Sequence, residues 1–207
     1  MATVLTAPSS ASRPLDWLNF FVADVRDGLG PYLAIYLLAV HHWRPDSIGL
    51  VMTLSGLAAL AAQTPAGALV DRTPNKRALL MAAAILVTLA CMAVLVNASF
   101  AWVTFTQSLA GVASSVFAPL IAAITLGLSA RGAFTARIAR NESYNHAGNA
   151  VAAILAGVLA YFWGPVAVFY LMAAMALASV AAALRIPADI DLDRARGLAH
   201  DLSLIHI

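Results

Sequence analysis

The sequence predicts an all-α membrane protein in which six transmembrane helices form a bundle, with both termini in the cytoplasm. The 207-residue chain is 62% hydrophobic and only 11% charged, with a mean hydropathy of +0.84, whereas a soluble domain is about half apolar and about a quarter charged. Six apolar stretches reach the length of about 20 residues that crosses about 30 Å of hydrocarbon. Most Lys and Arg residues flank alternate joins between these stretches, so they fall on one side of the membrane.

The same composition excludes several classes of protein. An ordinary soluble enzyme or a disordered chain does not carry so much apolar sequence. The formal net charge of +2 is too small to indicate a nucleic-acid partner. Because Cys91 is the one cysteine, no disulfide can form within the chain, and no Cys/His spacing typical of a metal site occurs. We therefore expect no metal and no cofactor, and the lipid bilayer as the main surroundings.

The six predicted spans leave room for short loops only. Each is apolar at nearly every position, which excludes the alternating pattern of a membrane β-barrel. Residues 1–14 are expected to form a cytoplasmic N-terminal segment, and residues 185–207 a cytoplasmic linker. The spans cover approximately 15–40, 47–70, 78–96, 101–128, 139–162 and 165–184.

Basic residues fix the predicted orientation, because positive charge is retained in the cytoplasm. At the joins assigned to the outer side, Arg44 is the one basic residue. All four tryptophans fall at predicted span ends, where an amphipathic ring prefers the membrane interface. The basic residues assigned to the cytoplasmic side are Arg13, Arg72, Lys76, Arg77, Arg131, Arg137, Arg140, Arg185, Arg194 and Arg196.

Span one carries Asp24, Arg26 and Asp27 in an otherwise apolar helix. Each charge costs about 2.5–3.5 kcal/mol at the membrane centre, so these side chains are expected to face protein or water rather than lipid. Asp24 and Asp27 share one helix face. Two carboxylates on a desolvated face do not ionise together easily, so we expect one of them to bind a proton near neutrality. All three residues are candidates for proton coupling or substrate binding; alternatively, Arg26 forms a structural ion pair with a neighbouring helix.

Two spans are predicted to be interrupted. Gly28, Gly30 and Pro31 directly follow the charges of span one, and such a sequence favours a kink or an unwound turn. Pro119 lies at a similar depth in span four, where the polar Gln107 is another candidate substrate contact. Broken helices at membrane depth commonly line the substrate sites of transporters. Spans one and four would occupy corresponding positions in a bundle built from two three-helix repeats, which is the architecture we expect.

Polar residues form one stripe on span five, spaced at i, i+3, i+4 and i+7. Glu142 with His146 is a candidate proton relay, and Arg26 is a candidate counter-charge for Glu142 if spans one and five touch. Alternatively, Glu142 is solvated at the cytoplasmic end and His146 is a hydrogen-bonded structural residue. The stripe consists of Glu142, Asn145, His146 and Asn149.

The join between spans two and three contains a motif that runs Gly, three residues, Asp, Arg, and then a basic residue four positions later. Its members are Gly67, Asp71, Arg72 and Lys76. This motif resembles the signature loop of the major facilitator superfamily, although Pro74 stands where the family has a second glycine. The resemblance implies a gating role for Asp71 and Arg72, which would contact the other half of a transporter and stabilise its outward-facing state. The residues alone also predict Thr73 as the N-cap of span three with Pro74 at its first helical position, in an ordinary cytoplasmic turn.

By this resemblance, the chain is the N-terminal half of a secondary transporter that moves a small solute by alternating access. Family members have twelve spans in two halves, so the implied partner is a missing C-terminal six-helix half or a second copy of the chain. Proton-coupled members often carry an arginine four residues before a glycine in span four, where this chain has Gln107 before Gly111. Proton coupling would therefore rest on Asp24 or Asp27. We interpret the final residues 202–207, LSLIHI, as a translated sequencing adapter on a truncated chain.

Two other functions are compatible with six spans. The first is a noncatalytic membrane protein that acts as a dimer. The second, an intramembrane protease, is disfavoured because the sequence from Gly111 to Ser115 does not fit the G-x-S-x-G pattern of a serine nucleophile. We therefore expect a transporter rather than an enzyme, integral to the bacterial inner membrane as a multi-pass protein.

Overall fold

The structure, a computed structural model, describes residues 12–129 and 133–187. Within these residues the chain is helical, as predicted, and contains no β-strand. A helix satisfies its own backbone hydrogen bonds, which is what an apolar surrounding demands. The helices are α1 (Ser12–Asp27), α2 (Gly30–Ala39), α3 (Pro45–Arg72), α4 (Lys76–Met92, followed by a 3-10 turn at Ala93–Leu95), α5 (Phe100–Ser114), α6 (Phe117–Leu128), α7 (Phe134–Trp163) and α8 (Ala167–Leu184).

Five helical segments of the described chain are long and apolar enough to cross a membrane. They are α3, α4 with its 3-10 turn, α5 together with α6, α7, and α8. The first predicted span, 15–40, is divided into α1, which has 16 residues, and α2, a short apolar helix of 10 residues.

The interruption of the first span lies at two glycines with left-handed backbone. Gly28 has φ +62° and Gly30 has φ +44°, a conformation that residues with a Cβ adopt at a cost. Pro31 lies in the first turn of α2, where its missing N–H leaves no helix hydrogen bond unmade. A second interruption separates α5 from α6, and Pro119 lies in the first turn of α6.

The broken α1–α2 segment is packed into the bundle by α1. This helix contacts α7 and α8 extensively, while α3 packs on α5 and α4 packs on both α5 and α8. The buried core between them is mostly apolar, and many large hydrophobic side chains are also exposed on the surface of the bundle. Its largest fully buried side chains include Leu18, Val22, Leu80, Phe117 and Phe169.

Glycines allow the main chains of two helix pairs to touch. A Cβ added to Gly148 of α7 would lie 2.0 Å from the carbonyl oxygen of Phe20 in α1. A Cβ added to Gly111 of α5 would lie 3.1 Å from the carbonyl oxygen of Ser55 in α3. Small residues at such crossings are how membrane helices gain close van der Waals contact.

Some of the sequence predictions lie outside the described residues. These are the structure of residues 1–11, the position of Arg131, most of the proposed linker, and the LSLIHI end.

Candidate functional site

Two adjoining cavities lie beside the interruption of the first span. The smaller, of about 190 Å³, is lined by the end of α1, the glycine turn, α2, α3, α4 and α5. The larger, of about 510 Å³, extends along α3, α5 and α6. Both are lined by Arg26, Asp27, Ala59, Gly111 and Ser114.

Several residues predicted from the sequence meet at these cavities. Of the candidates for substrate contact, Arg26 and Asp27 line both cavities and Gln107 lines the smaller one. Of the predicted helix breakers, Gly28 and Gly30 line the smaller cavity and Pro119 lines the larger. Neither Asp24 nor Pro31 is part of either lining, and Asp24 is partly buried one turn before Asp27.

The two charged side chains at the cavity walls are held differently. The amide Nδ2 of Asn149, on α7, donates a hydrogen bond to Asp27 Oδ2 at 3.0 Å. Arg26 is partly buried, and no carboxylate of the described chain lies within ion-pair distance of its guanidinium. An arginine at membrane depth without a counter-ion is costly, so Arg26 is the least compensated group of the site.

Gln107, which lines the smaller cavity, carries a second uncompensated group. Its amide Nε2 is buried and has no hydrogen-bond partner in the described chain. The buried thiol of Cys91 is a near neighbour of the Gln107 side chain. Two hydroxyls of the same lining are already used, because Ser55 donates to Val51 O at 2.8 Å and Ser114 donates to Gly111 O at 3.0 Å.

The polar stripe of α7 reaches this site at one point only. Asn149 contacts Asp27, whereas Glu142 and His146 are exposed and Asn145 is partly buried away from both cavities. The helices α1 and α7 do touch. Even so, Arg26 and Glu142 do not form the suggested ion pair, because Glu142 is exposed and Asn149 is the residue of the stripe that contacts α1 near Arg26.

The predicted gating loop is fixed by two basic residues that follow it. Lys76 is buried, and its Nζ donates to the carbonyl oxygens of Val70 and Thr73 at the end of α3, where a cation is favoured by the helix dipole. Arg77 donates to Ile186 O at 2.7 Å, beyond the end of α8. The loop is thereby tied to two helices.

The other residues of the predicted signature motif lie at the end of α3 or in the lining of the larger cavity. Asp71 and Arg72 are exposed at the end of α3, and Gly67 lines the larger cavity. The predicted N-cap Thr73 is wrong. Asn75 caps α4 instead, since its Oδ1 accepts from the backbone N–H of Ala78 at 3.0 Å. Pro74 therefore lies before the helix and not at its first position.

Sequence reasoning missed a charged network near the amino-terminal ends of α1 and α7. Asp16 of α1 is buried, and its carboxylate accepts from Arg137 Nη2 at 2.5 Å and from Arg140 Nη2 at 2.6 Å. Arg137 Nε also donates to Asn141 Oδ1 at 3.1 Å, and Asn141 Nδ2 donates to Thr125 Oγ1 at 2.7 Å. This network joins α1, α6 and α7.

One signal for that network was present in the sequence. Arg137 and Arg140 are three residues apart, which places them on one helix face, and Asp16 lies at the predicted start of span one. The two arginines served only to assign the orientation, because their partner lies more than a hundred residues away in the chain.

Comparison with known proteins shows what the chain is similar to. Residues 16–200 match the sequence model of the Major Facilitator Superfamily. Two uncharacterized MFS-type transporters of Mycobacterium tuberculosis, from strain CDC 1551 / Oshkosh and strain H37Rv, are each 57% identical over 199 residues. The match covers 96% of this chain but 48% of each relative, so the chain spans about half the length of the curated relatives that it matches. No solved structure matches the sequence.

Proposed function

The chain belongs to the Major Facilitator Superfamily, and on this premise we propose that it forms the N-terminal half of a secondary transporter that moves a small solute by alternating access. The observation that carries the proposal is the pair of cavities at the broken first span, with Arg26 and Asp27 on the walls of both. Irregular backbone at membrane depth is tolerated where it lines a cavity, and charged side chains there commonly mark a solute pathway. Transport, rather than catalysis, is the activity that such a site serves.

The surfaces of α3 and α7 support a second half or a second copy as partner. In these helices the most apolar windows are only 11% and 17% buried within the chain, against 44–50% in the other three candidate spans. The same two helices carry polar residues on their outer faces, such as Gln63 and Thr64 on α3 and His146 on α7. A polar face is unfavourable against lipid, so we propose that another bundle covers it and closes the cavities from the open side.

Proton coupling, if the transporter uses it, is assigned to Asp24 and Asp27. The two carboxylates lie one helical turn apart, and Asp27 faces the cavities. Gating is assigned to Asp71 and Arg72, which lie exposed at the end of α3, directly before the loop that is held by Lys76 and Arg77. The relatives come from a bacterium, and the proposed location is the bacterial inner membrane.

Alternating access is tested by labelling one cavity position from the two sides of the membrane. Ser114→Cys places a thiol in the wall of both cavities, while the native Cys91 is buried. In right-side-out and inverted vesicles, an impermeant maleimide is expected to react with Ser114→Cys from either side. Asp71→Asn is expected to shift the balance toward the cytoplasmic side. Asp46→Asn, which alters an exposed carboxylate at the other end of α3, is the matched control. The proposal would be contradicted if Ser114→Cys reacts from one side only, whether it stands alone or is combined with Asp71→Asn or with Asp46→Asn.

The assignment of proton coupling to Asp24 and Asp27 is tested by the response of Ser114→Cys labelling to pH. A pH gradient across the vesicles is expected to change the balance of Ser114→Cys labelling in the parent chain. The double variant Asp24→Asn, Asp27→Asn is expected to lose this response, because neither amide can bind or release the proton. An unchanged response in the double variant would reject these two residues as the coupling site.

A further inference from the structure

Two side chains that line the smaller cavity, Arg26 and Gln107, carry hydrogen-bond donors for which the described residues supply no partner. Among the residues that the structure describes, no carboxylate lies within ion-pair distance of Arg26, and the buried Gln107 Nε2 has no hydrogen-bond partner. Leaving a buried donor such as Gln107 Nε2 unsatisfied is costly, and a partly buried cation such as Arg26 gains stability from a counter-ion. Both requirements are met by a single ligand group that carries negative charge and several acceptor oxygens.

We infer that the substrate is a small carboxylate-bearing solute, whose carboxylate is received by Arg26 and Gln107 in the cavity beside the broken first span. This inference rests on the proposed transport function and names the chemical class of its substrate. A guanidinium binds a carboxylate through parallel N–H···O bonds. The amino-terminal end of α2 begins at Gly30 in the same lining, and the positive end of a helix dipole also favours an anion.

The rest of the cavity sets the size and polarity of the solute. Leu33, Val51 and Val87 supply apolar lining, which suits a short aliphatic group next to the carboxylate. A volume of about 190 Å³ lies below the range of about 300–1,000 Å³ typical of drug-sized ligands. A solute of the size of a branched-chain amino acid or fatty acid is therefore expected.

The position of Asp27 distinguishes two kinds of carboxylate solute, an amino acid and a simple monocarboxylate. Its Oδ2 accepts from Asn149, and the carboxylate still faces both cavities. An amino acid would place its ammonium group near Asp27 and add no net charge to the site. A simple monocarboxylate would leave Asp27 without that contact.

Three matched compounds test the inference by calorimetric titration of the 207-residue chain in lipid nanodiscs of phosphatidylcholine and phosphatidylglycerol. They are L-leucine, 4-methylpentanoate, which lacks the ammonium group, and 3-methylbutylamine, which lacks the carboxylate. At least one of the two carboxylates is expected to bind about tenfold or more tightly than the amine. If L-leucine binds more tightly than 4-methylpentanoate, and Asp27→Asn abolishes this difference, the substrate is an amino acid. If 4-methylpentanoate binds more tightly than L-leucine, the substrate is a monocarboxylate.

Substitutions connect that binding to the two donors. Arg26→Gln and Gln107→Leu are each expected to weaken carboxylate binding by about tenfold or more. Arg44→Gln, which alters an exposed arginine away from the cavities, is expected to leave it unchanged. Helical content by circular dichroism and the elution profile in detergent are compared for every variant. Because Arg26→Gln removes an unpaired charge, it is expected to fold at least as well as the parent chain.

Three results would overturn the inference: the amine binds as tightly as the carboxylates, folded Arg26→Gln binds them like the parent chain, or neither carboxylate binds at about 10 mM. The last result would leave Arg26 to pair with a carboxylate of a second bundle. The labelling of Ser114→Cys separates this outcome from failure of the proposed function. If that labelling alternates while the carboxylates do not bind, transport stands and the substrate class is wrong.

Discussion

At the scale of single residues, the energetic importance of a charge in this chain depends on its burial. The side chain of Asp16 is 3% exposed and that of its partner Arg137 is 13% exposed, whereas Arg140 is 53% exposed and is screened by solvent. The pair of Arg44 and Asp46 is 82% and 64% exposed. The two carboxylates both lie early in a helix, which makes them a matched comparison.

Asp16→Asn is expected to lower the free energy of unfolding by about 3 kcal/mol, because it breaks the buried charge pair between Asp16 and Arg137. Asp46→Asn is expected to change it by about 0–1 kcal/mol, as for other exposed ion pairs. Reversible unfolding of both variants in mixed detergent micelles measures the difference. If the two variants lose the same free energy of unfolding, the Asp16 network stabilises the fold no more than an exposed ion pair does.

At the scale of helices, the sequence predicts the positions of helix interruptions more reliably than the contacts between helices. The interruption of the first span follows from Gly28, Gly30 and Pro31, because their backbone preferences are local. The residue at which α4 begins is harder to predict. Thr73 and Asn75 are both good N-cap residues, and only the packing of Lys76 against the end of α3 decides that α4 begins after Asn75.

Contacts between distant helices were not accessible from spacing alone. The polar stripe of α7 was visible as a pattern, but the pattern does not say which of its residues faces α1. Close approach at Gly148 brings Asn149 to Asp27 and leaves Glu142 and His146 exposed. The rotation of α7 about its own axis, which a sequence does not encode locally, therefore decides the composition of the site.

The contact between α1 and α7 yields a prediction for two glycines of one helix. Gly148→Ala is expected to lower the free energy of unfolding by about 1–3 kcal/mol, because the new Cβ would lie 2.0 Å from the backbone oxygen of Phe20. Gly157 has no heavy atom within 4 Å of an added Cβ, so Gly157→Ala is expected to be neutral or to gain up to about 1 kcal/mol from helix propensity. Thermal unfolding in detergent distinguishes them. A Gly148→Ala chain as stable as Gly157→Ala would mean that α1 and α7 do not touch at this point.

At the scale of the whole molecule, the site and the orientation both depend on how the first span crosses the membrane. The helix α2 has 10 residues and is about 15 Å long, which is half the hydrocarbon thickness of about 30 Å. It cannot cross alone. Together with the 16 residues of α1, it is long enough. We expect the two helices to cross as one broken span, which would place the glycine turn near the middle of the membrane with Arg26 and Asp27 beside it.

The crossing of the broken span is tested by cysteines at its two ends, Arg13→Cys before α1 and Val40→Cys after α2, both at exposed positions. In intact cells an impermeant maleimide is expected to label Val40→Cys, and to label Arg13→Cys only after permeabilisation, because basic residues are retained in the cytoplasm. Asn75→Cys is expected to behave like Arg13→Cys, and Ser99→Cys like Val40→Cys; the buried Cys91 supplies little background. If Arg13→Cys and Val40→Cys react from the same side, α1 and α2 form a re-entrant segment. The chain then crosses the membrane five times, and Arg26 no longer lies where a solute passing between two halves would meet it.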